Sequence, residues 1–452
     1  MTKTIFITSL NPFVTRNILF TDVFKKLVET PDLRLVIFCP DYKKEYFEKY
    51  FKKDNVIIEP IASEKISIQD IIFGYIGQSL LNTQRLVIRR EEVFLSKKKF
   101  IQYFGAVFLS WIGRFAKVKK LVRFLDRLTF SKKRFAPYFD RYQPDLVFGP
   151  DVFHPDDVHF LMEAKYRGLK TVGMVRSWDN ITNKGFFRPK PDKLIVNNEV
   201  IRDEAIEYED IKKKNIFVAG MPQFDMYVNE ARSSREDFFK KIGFDSKKPF
   251  IVFGPWGNRF IDTDWQILQI LKDAIVGGKL PDNLQILVRI PPNDNIALGD
   301  FVPDEHFKLY YVSRQFQEGV YRDREFDPQA MKETGDNLYY ADLIVGYMSS
   351  LNIDACVFDK PIVAIVFDGW TKKPYLKSIV KFLDFDHTKK MLFTRFAPFT
   401  KNKEELIYHI NRYLKDPSLD RENRAHFLKL QTWKMDGQAG ERIANFLISQ
   451  LS

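Results

Sequence analysis

Short apolar runs rich in β-branched residues alternate with helix-like stretches along the chain, and this alternation occurs twice. In the first half the runs are residues 5–8, 35–38, 56–58, 146–148, 171–175, 194–196 and 216–218. After a polar stretch at 221–248 they return as residues 250–253, 285–288, 309–312, 343–345 and 362–367. Continuous apolar strands joined by helical crossovers form parallel sheets that are covered on both faces. The sequence therefore predicts an α/β protein with two Rossmann-like, doubly wound domains facing a cleft.

The same pattern predicts where the domains begin and end. We expect an N-terminal domain at residues 1–225, a C-terminal domain at 226–402 and a polar C-terminal helical tail at 403–452. The two cysteines, Cys39 and Cys356, stand in different halves of the chain, which excludes a disulfide framework and fits a reducing compartment. The first residues enter a strand directly, which predicts no secretory leader, and no apolar window reaches the ~20 residues of a membrane-spanning helix. We therefore expect a cytoplasmic protein.

The positive charge is concentrated in one segment. The net charge is +12, and residues 97–134 contain twelve basic residues and one acidic residue, Asp126. The mostly apolar stretch 100–113 lies between the basic blocks and is too short to cross a bilayer. It suits a helix lying in the interface of an anionic membrane. A buried hairpin helix with a solvated basic edge is the alternative for segment 97–135, and no nucleic-acid motif supports a nucleic-acid surface.

The polar residues of the second domain that follow its strands indicate an anion site. Ser349 and Ser350 stand between a strand and a helix, where free amides and the helix dipole favour a pyrophosphate. A plain N-cap is the alternative. The loop after the domain's first strand contains Gly254, Trp256, Gly257 and Arg259, and its glycines allow close backbone approach to a ligand. Arg259 and Arg289 are candidates for neutralising a leaving diphosphate without a metal, or are surface ion-pair partners.

Several motifs carry a resemblance to a known group of enzymes. The run from Ala341-Asp342 through Tyr347-Met-Ser-Ser350 and Asp354 to Lys360-Pro-Ile-Val363 resembles the donor site of GT-B glycosyltransferases related to CDP-glycerol glycerophosphotransferases. Asp436-Gly-Gln-Ala-Gly-Glu-Arg442 resembles the terminal motif of the same enzymes. Trp178-Asp179-Asn180, Lys184-Gly185, Pro191-Asp192 and Gly220-Met-Pro-Gln-Phe-Asp225 resemble the end of the N-terminal domain in these enzymes and in UDP-N-acetylglucosamine 2-epimerases. The resemblance covers about residues 140–445.

This resemblance implies a donor site and an acceptor site in different domains. The implied donor-binding residues are Gly254, Trp256, Gly257, Arg259, Arg289, Tyr347, Ser349, Ser350 and Asp354. In the first domain, Asp151 and His154 follow a strand and are the candidates for the base that takes the acceptor's proton; a cap and an idle loop residue are their alternatives. We expect Asn11, Arg16, Trp178, Asp179 and Asn180 to bind the acceptor, although a structural turn also explains the last three.

The sequence favours transfer of a sugar. Pro291-Pro292 stands where the phosphotransferases have His-Pro, so their histidine is missing, which favours a nucleotide-diphosphate sugar as donor. We expect no metal, because no HExxH or paired-cysteine motif is present and Asp262-Thr-Asp264, which has DxD spacing, begins a predicted helix, where acids are ordinary. We expect no other cofactor, because the loop after the first strand lacks the glycine-rich dinucleotide turn. The predicted acceptor is lipid-linked or a surface polysaccharide, met at the cytoplasmic face of an anionic membrane, with no nucleic-acid partner. A glycerophosphotransferase, a non-hydrolysing 2-epimerase and a non-catalytic sugar-binding scaffold remain open.

Overall fold

The computed structural model describes residues 2–62, 66–130, 134–292, 294–311, 313–315 and 324–451. Residues 131–133 of the basic segment and residue 312 of a predicted strand lie outside these ranges. The described chain forms two compact units. The first contains residues up to Val228 together with those from Leu430 onward, and the second runs from Asn229 to Lys429.

Among the described residues, the first unit is built on a seven-stranded parallel sheet. Its strands are β1 (Lys3–Thr8), β2 (Leu33–Pro40), β3 (Val56–Ile61), β4 (Leu146–Gly149), β5 (Lys170–Met174), β6 (Lys193–Val196) and β7 (Ile216–Val218). They lie in the order β3-β2-β1-β4-β5-β6-β7, so β1, β4 and β5 are neighbours at the centre. Buried side chains such as Phe6, Val147 and Leu194 belong to the core beside the sheet. The loops after the three central strands therefore meet at one edge of the sheet.

Helices cover this sheet and extend beyond it. In chain order they are α1 (Pro12–Val14), α2 (Asp22–Val28), α3 (Lys44–Phe51), α4 (Ile68–Leu80), α5 (Gln84–Arg90), α6 (Phe100–Ile112), α7 (Ala116–Leu128), α8 (Ala136–Tyr142), α9 (Pro155–Tyr166), α10 (Asn180–Lys184), α11 (Glu199–Glu209) and α12 (Asp225–Asn229). Single π-helical turns at Thr15–Leu19 and Glu91–Leu95 follow α1 and α5.

The second unit repeats the design with a six-stranded parallel sheet in its described part. Its strands are β8 (Phe250–Gly254), β9 (Gln285–Ile290), β10 (Phe307–Tyr311), β13 (Leu343–Gly346), β14 (Ile362–Ile365) and β15 (Phe399–Thr400), with β11 (Arg314–Gln315) and β12 (Arg324–Glu325) forming a separate antiparallel pair. The order β10-β9-β8-β13-β14-β15 places β9, β8 and β13 side by side. The helices are α13 (Arg235–Ile242), α14 (Asp264–Val276), α15 (Pro328–Tyr340), α16 (Ser350–Val357), α17 (Asp386–Leu392), α18 (Lys403–Lys415) and α19 (Arg421–Thr432). The predicted fold class, two doubly wound α/β sheets, is confirmed.

The helices of residues 403–452 are divided between the two units. Leu406 and Ile410 of α18 belong to the core of the second unit. The last helix, α20 (Ala439–Ser449), packs on the first unit, where Phe446 stacks on Phe217 with ring centroids 4.3 Å apart. Each helix has an apolar stripe that needs a sheet or a helix to cover it, so the predicted tail is absorbed into both units.

Two sequence motifs hold α20 in place. The Asp225 carboxylate accepts hydrogen bonds from the amides of Ala439 at 3.1 Å and Gly440 at 2.6 Å, at the start of the helix. Arg442 donates through Nε to the carbonyl of Ala219 at 2.9 Å and pairs with Asp436. Burial raises the pKa of Asp225 to about 6. The motifs at 220–225 and 436–442 therefore form a clasp that closes the first unit.

Helices α4, α6 and α7 form a layer with an exposed apolar face. On α6, Ile101 is 87% exposed and Trp111 is 54% exposed, whereas Ala106 and Ser110 are buried. Where α6 ends, a Cβ on Gly113 would lie 2.0 Å from the carbonyl oxygen of Leu80, so glycine permits the close contact with α4. The alternative of a buried hairpin helix for segment 97–135 is wrong, because the aromatic face of α6 is open. No helix within the described ranges is long and apolar enough to cross a membrane.

Candidate functional site

In the second unit, the loops that follow β8 and β13 lie together. Gly254 ends β8 and pairs in register with Gly346, which ends β13. The indole of Trp256 stacks on the ring of Tyr347 with centroids 5.3 Å apart and planes 14° from parallel. Two residues 91 positions apart in the sequence thus form one aromatic stack beside the first turn of α16, in which Tyr347 is buried and Trp256 is partly exposed. The structure brings together the predicted donor residues of these two loops.

Glycine is required at both strand ends because the backbones approach closely. A Cβ on Gly346 would lie 2.7 Å from the carbonyl oxygen of Gly254, and a Cβ on Gly254 would lie 2.5 Å from the Leu351 side chain. The first turn of α16 can therefore lie directly over the ends of the strands. Gly346 belongs to this arrangement, and its place as the last residue of an apolar run was the available sequence signal.

Ser349 occupies the N-cap position of α16 without acting as a cap. Its backbone is extended, with φ −145° and ψ 173°, and within the described residues its hydroxyl makes no capping hydrogen bond. The hydroxyls of Ser349 and Ser350 and the dipole of α16 together suit an anionic group. Asp354 lies one turn further along the same helix. A plain N-cap does not account for Ser349.

Two buried aspartates organise the loop after β8. Asp264, the first residue of α14, accepts hydrogen bonds from the amides of Trp256 at 3.2 Å and Gly257 at 2.9 Å. Asp294 accepts one from the amide of Arg259 at 3.0 Å. A Cβ on Gly257, where φ is +94°, would lie 2.5 Å from Asp294 Oδ2. These aspartates thus occupy the amide of Gly257 and the space beside its Cα, and the binding of a ligand by Gly257 stays a prediction.

Asp264 also affects the ionisation of Tyr347. Burial raises the pKa of Asp264 to about 6. Burial and the charge of Asp264 raise the pKa of the Tyr347 hydroxyl well above its ordinary value. Tyr347 is therefore neutral at physiological pH and serves as a packing surface. Sequence reasoning gave Asp264 only the role of a helix-start acid, because its hydrogen bonds to the amides of Trp256 and Gly257 depend on how the loop between β8 and α14 folds back.

The two predicted arginines differ in position. Arg259 is exposed, with its guanidinium 5.4 Å from the centre of the Phe260 ring. Arg289 lies inside β9 rather than past its end, and its Nη2 donates to Thr334 Oγ1 of α15 at 3.4 Å. Arg259 thus belongs to the loop beside Trp256, whereas Arg289 faces a helix that packs on the sheet.

In the first unit, the loop after β4 contains a buried carboxylate held by two cations. Asp151 is 1% exposed and lies 2.9 Å from Arg176 Nε and 3.5 Å from Lys184 Nζ. Burial alone would raise the pKa of Asp151, but the charges of Arg176 and Lys184 outweigh it and hold that pKa well below its usual range. Such a carboxylate is a poor proton acceptor at neutral pH.

His154 has the opposite character. Burial lowers the pKa of its imidazole, so the neutral ring predominates at pH 7. Its Nδ1 lies 3.6 Å from Asp157 Oδ2.

Asp157 is buried and accepts hydrogen bonds from Thr8 Oγ1 at 2.6 Å and from the amide of Asp151 at 3.2 Å. Burial and the neighbouring charge of Asp151 raise the pKa of Asp157. Asp157 therefore does more than complement the dipole of α9, because its carboxyl links β1 with the loop after β4 and lies near His154.

The other predicted acceptor residues make local contacts. The Asp179 carboxylate accepts hydrogen bonds from Ser177 Oγ, Asn180 Nδ2 and Asn183 Nδ2 within its own loop, and Trp178 packs against the core. Asn11 caps α1 by accepting the amide of Phe13 at 3.0 Å. These contacts agree with the structural-turn alternative for Trp178, Asp179 and Asn180.

Arg16 and Arg176 are brought together around one ring. Their guanidinium carbons lie 5.1 and 5.2 Å from the centre of Phe13. Arg176 therefore links the loops after β1, β4 and β5, through Phe13 and Asp151. Sequence reasoning missed Arg176, although its position directly after a predicted strand was a usable signal. The structure gives no group of three or more His, Cys, Asp or Glu in the described part of the chain that could hold a metal.

Comparisons with solved structures identify the fold. A UDP-GlcNAc 2-epimerase from Methanocaldococcus jannaschii superposes with a TM-score of 0.53 at 13% identity, covering 99% of this chain and 100% of the other. A UDP-GlcNAc 2-epimerase from Neisseria meningitidis gives 0.54 at 11% identity, with 99% and 100% coverage. The wall teichoic acid polymerase TagF gives 0.50 at 12% identity, covering 100% of this chain and 89% of the other. At these identities the likeness establishes the fold, and it confirms the predicted GT-B architecture.

Curated relatives and a protein family identify the lineage. The teichoic acid ribitol-phosphate polymerase TarL of Staphylococcus aureus is 23% identical over 211 residues, covering 44% of this chain and 34% of the relative. A teichoic acid poly(ribitol-phosphate) polymerase of Bacillus spizizenii is 22% identical over 261 residues, covering 57% and 37%. The chain thus matches little more than a third of the length of these relatives. Residues 168–449, which contain the whole site of the second unit, match one family across more than half of the chain. The protein belongs to the CDP-glycerol:poly(glycerophosphate) glycerophosphotransferase family.

Proposed function

We propose that the protein is a transferase of cell-envelope polymer synthesis that takes an activated group from a nucleotide donor bound in the second unit. One observation carries the proposal: Trp256 stacks on Tyr347 beside Ser349, whose hydroxyl does not cap its helix. A partly exposed indole next to a helix N-terminus suits a nucleotide base, with the phosphates at the amides of the helix. The family match over residues 168–449 includes this site.

The transferred group is proposed to be a sugar. Pro291-Pro292 replaces the His-Pro expected of a phosphotransferase, and the loop that follows uses Asp294 to hold the amide of Arg259. Transfer of a polyol phosphate is the second candidate, because the family and the curated relatives carry that activity in their names. The two reactions differ in the leaving group: sugar transfer releases a nucleoside diphosphate, whereas polyol-phosphate transfer releases a nucleoside monophosphate.

In the proposed reaction His154 acts as the base. The acceptor oxygen forms a bond to the transferred group, the bond from that group to the donor phosphate breaks, and the neutral imidazole takes the acceptor proton. Asp157 Oδ2 lies 3.6 Å from Nδ1, beyond hydrogen-bond distance, and we propose that the two atoms close to a hydrogen bond when Nε2 receives the proton. Asp151, held ionised by Arg176 and Lys184, positions the loop instead. Arg259, Ser349 and Ser350 are proposed to contact the donor phosphates.

The released nucleotide tests this proposal directly. Purified protein is incubated with UDP-, GDP-, CDP- and dTDP-sugars and with CDP-glycerol, together with a membrane extract as acceptor source, and the nucleotides are separated by chromatography. Release of a nucleoside diphosphate that depends on the protein supports sugar transfer. Release of CMP from CDP-glycerol supports the second candidate. Conversion of a UDP-sugar into its epimer without an acceptor contradicts both.

We further propose that α6 and α7 dock on the cytoplasmic face of an anionic membrane. The exposed apolar side chains of the two helices are Phe100, Ile101, Phe104, Val107, Phe108, Trp111, Leu121, Phe124, Leu125 and Leu128. Basic residues surround them, and each cation near an anionic surface contributes roughly 1 kcal/mol. The acceptor is accordingly proposed to be lipid-linked or attached at that surface.

Flotation with lipid vesicles tests the docking proposal. The variant with Phe104→Ser and Trp111→Ser should stop floating with phosphatidylglycerol vesicles, and added salt should weaken flotation of the unmodified protein. Phe393→Ser is the matched control, because Phe393 is an aromatic residue 86% exposed in the second unit. Equal flotation of all three proteins would contradict a docking role for this face.

A further inference from the structure

A cavity of about 820 Å³ lies within the second unit, at the edge of the sheet where β8, β13 and β14 begin. Pro249, Asp342 and Pro361 line it, and each directly precedes one of these strands. The candidate donor loops follow the opposite ends of β8 and β13. Asp342 and Tyr347 flank β13, and a strand rises ~3.3 Å per residue, so these two residues lie roughly 16 Å apart. The cavity is therefore separate from the proposed nucleotide site.

Two pairs of residues from the sequence run that resembles a donor site lie at this cavity. Ala341-Asp342 and Lys360-Pro361 line it, because they stand before β13 and β14 in the chain. Ser349, in contrast, stands past the end of β13. The Asp342 carboxylate accepts the amide of Phe250 at 2.8 Å and so joins β13 to β8. The proposed handling of the nucleotide gives no role to Lys360.

The wall of the cavity is strongly cationic. Six basic and two acidic side chains line it, which gives a net charge of +4. The basic side chains are those of Arg235, Lys247, Lys248, Lys360, Lys415 and Arg421. Arg421 pairs with Asp359, one of the two acids, at 2.6 Å. None of the four lysines forms an ion pair with another residue of the described ranges, so most of the positive charge is not neutralised there.

Arg235, the first residue of α13, presents a guanidinium group that is fixed in place. Its Nε donates to the carbonyl of Ser246 at 2.9 Å, and its guanidinium carbon lies 4.6 Å from the centre of the Phe239 ring. Its two terminal nitrogens make no hydrogen bond within the part of the chain that the structure describes. A guanidinium fork binds two oxygens of one phosphate, so a fixed fork with both terminal nitrogens open suits a phosphate group.

Lys360 adds a second cation close enough to Arg235 for the two charges to interact. The Lys360 side chain is half-buried, with Nζ 5.7 Å from the centre of the Tyr339 ring. Burial lowers the pKa of Lys360; the charge of Asp342 opposes this shift, and the charge of Arg235 adds to it. A like charge nearby disfavours the charged form, and an anion bound to both side chains would stabilise it. Arg235 and Lys360 are therefore the expected contacts of an anionic ligand.

We propose that this cavity binds an oligophosphate, an anion with two or more phosphate groups, at a second site that the proposed transfer reaction does not use. A single phosphate group carries roughly two negative charges at pH 7, whereas the wall has a net charge of +4. The cavity volume lies in the range of small-molecule sites. The Arg235 fork binds one phosphate and Lys360 the next, and the exposed side chains of Lys247, Lys248 and Lys415 complete the neutralisation.

Calorimetric titration with inorganic tripolyphosphate tests the site. Ser349 and Ser350 are replaced by alanine in every sample, so that the donor loops contribute little to anion binding. In that background, Arg235→Gln with Lys360→Gln should weaken binding about 100-fold or more, because two charge-assisted hydrogen bonds are lost. Lys240→Gln with Lys429→Gln is the matched control. It removes two exposed cations of the same unit that do not line the cavity, and it should bind within about threefold of the background protein.

A second variant keeps the test independent of the packing of Arg235. Lys360→Gln with Lys415→Gln leaves the contacts of Arg235 with Ser246 and Phe239 in place, and it should weaken binding about tenfold or more with an unchanged melting temperature. Unchanged tripolyphosphate binding in both variants would overturn the assignment. Sulfate bound as tightly as tripolyphosphate would also overturn it, in favour of an unspecific anion surface.

A nucleoside triphosphate has the same phosphate chemistry and separates two sources of the ligand. If CTP binds more tightly than tripolyphosphate and this binding is lost in the Arg235 and Lys360 variant, the ligand is a nucleotide. Equal or weaker binding of CTP indicates a free oligophosphate. Thermal shifts with UDP, GDP, CDP and dTDP, recorded with Ser349 and Ser350 intact, test the proposed function separately. Normal nucleotide shifts without tripolyphosphate binding would contradict the cavity site and leave the proposed function supported.

Discussion

Replacing Ser349 and Ser350 by alanine separates a phosphate-binding role from a capping role. Ser349 stands at the N-cap of α16, yet its hydroxyl makes no capping hydrogen bond in the described structure. Ser234 makes the comparison possible, because it caps α13 by accepting the amide of Asp237 at 3.1 Å. Alanine at Ser234 should therefore lower stability and leave nucleotide binding unchanged, whereas alanine at Ser349 and Ser350 should weaken nucleotide binding and leave stability nearly unchanged.

The structure sets the expected magnitudes. Loss of a working N-cap costs about 1 kcal/mol, so Ser234→Ala should lower the free energy of unfolding by that amount. The double variant at Ser349 and Ser350 loses no capping bond, so its unfolding free energy should change by less than about 0.5 kcal/mol. A hydrogen bond to a charged group contributes about 1.5–3 kcal/mol, so loss of a single hydroxyl contact to phosphate should weaken nucleotide binding by roughly 10- to 150-fold.

Calorimetric titration and thermal melting measure the two quantities on the same samples. The nucleotide is whichever of UDP, GDP, CDP and dTDP gives the largest thermal shift with the unmodified protein. At a concentration 100 times its dissociation constant, a ligand adds about 2.7 kcal/mol of stability, which a melt detects. Both variants and the unmodified protein are titrated under identical salt.

The opposite pattern would refute the reasoning. If the double variant loses about 1 kcal/mol of stability but binds nucleotide normally, Ser349 is a cap and the phosphate site lies elsewhere. If Ser234→Ala weakens nucleotide binding as strongly as the double variant, the weaker binding results from general destabilisation of the second unit and not from a lost phosphate contact.

Three further predictions concern the clasp, the base and the strand ends. Asp225→Ala leaves two amides of α20 without an acceptor and should lower the free energy of unfolding by about 2–5 kcal/mol, measured as lost hydrogen-exchange protection at 439–449. Burial raises the pKa of Asp225 to about 6, so the protonated carboxyl is favoured in the folded state. The stability of the unmodified protein relative to the variant should therefore fall by about 1–2 kcal/mol as pH rises from 5 to 7.5. Turnover should fall as pH drops through a midpoint below 6.5, where His154 becomes protonated, and His154→Gln should slow it about 10²–10⁴-fold; an unchanged rate would exclude His154 as the base. Gly346→Ala puts a Cβ 2.7 Å from the Gly254 carbonyl oxygen and should destabilise the second unit by about 1–3 kcal/mol, with nucleotide binding weakened as well; normal melting and binding would contradict the close approach.

The sequence alone determined the architecture, because strand and helix patterns are local. The apolar runs at residues 5–8 and 250–253 became β1 and β8, and each predicted run corresponds to a strand of one of the two parallel sheets. The short antiparallel pair of β11 and β12 and the edge strand β15 escaped prediction, since strands of two residues carry no usable alternation. The position of Ser349 between a strand and a helix was also visible in the sequence.

Tertiary structure decided which polar atoms are already occupied. The Asp264 carboxyl meets amides seven and eight residues earlier, in the loop that leads into its own helix, whereas the Asp225 carboxyl meets amides more than 200 residues away. The pKa values of Asp151 and His154 are both lowered, the first because the charges of Arg176 and Lys184 outweigh its burial, and the second because of burial. The exposure of the aromatic face of α6 likewise depends on which side of α6 packs against α4. Hydrogen bonding, desolvation and Coulomb interactions depend on distances between residues that are remote along the chain, so only the folded structure could assign these roles.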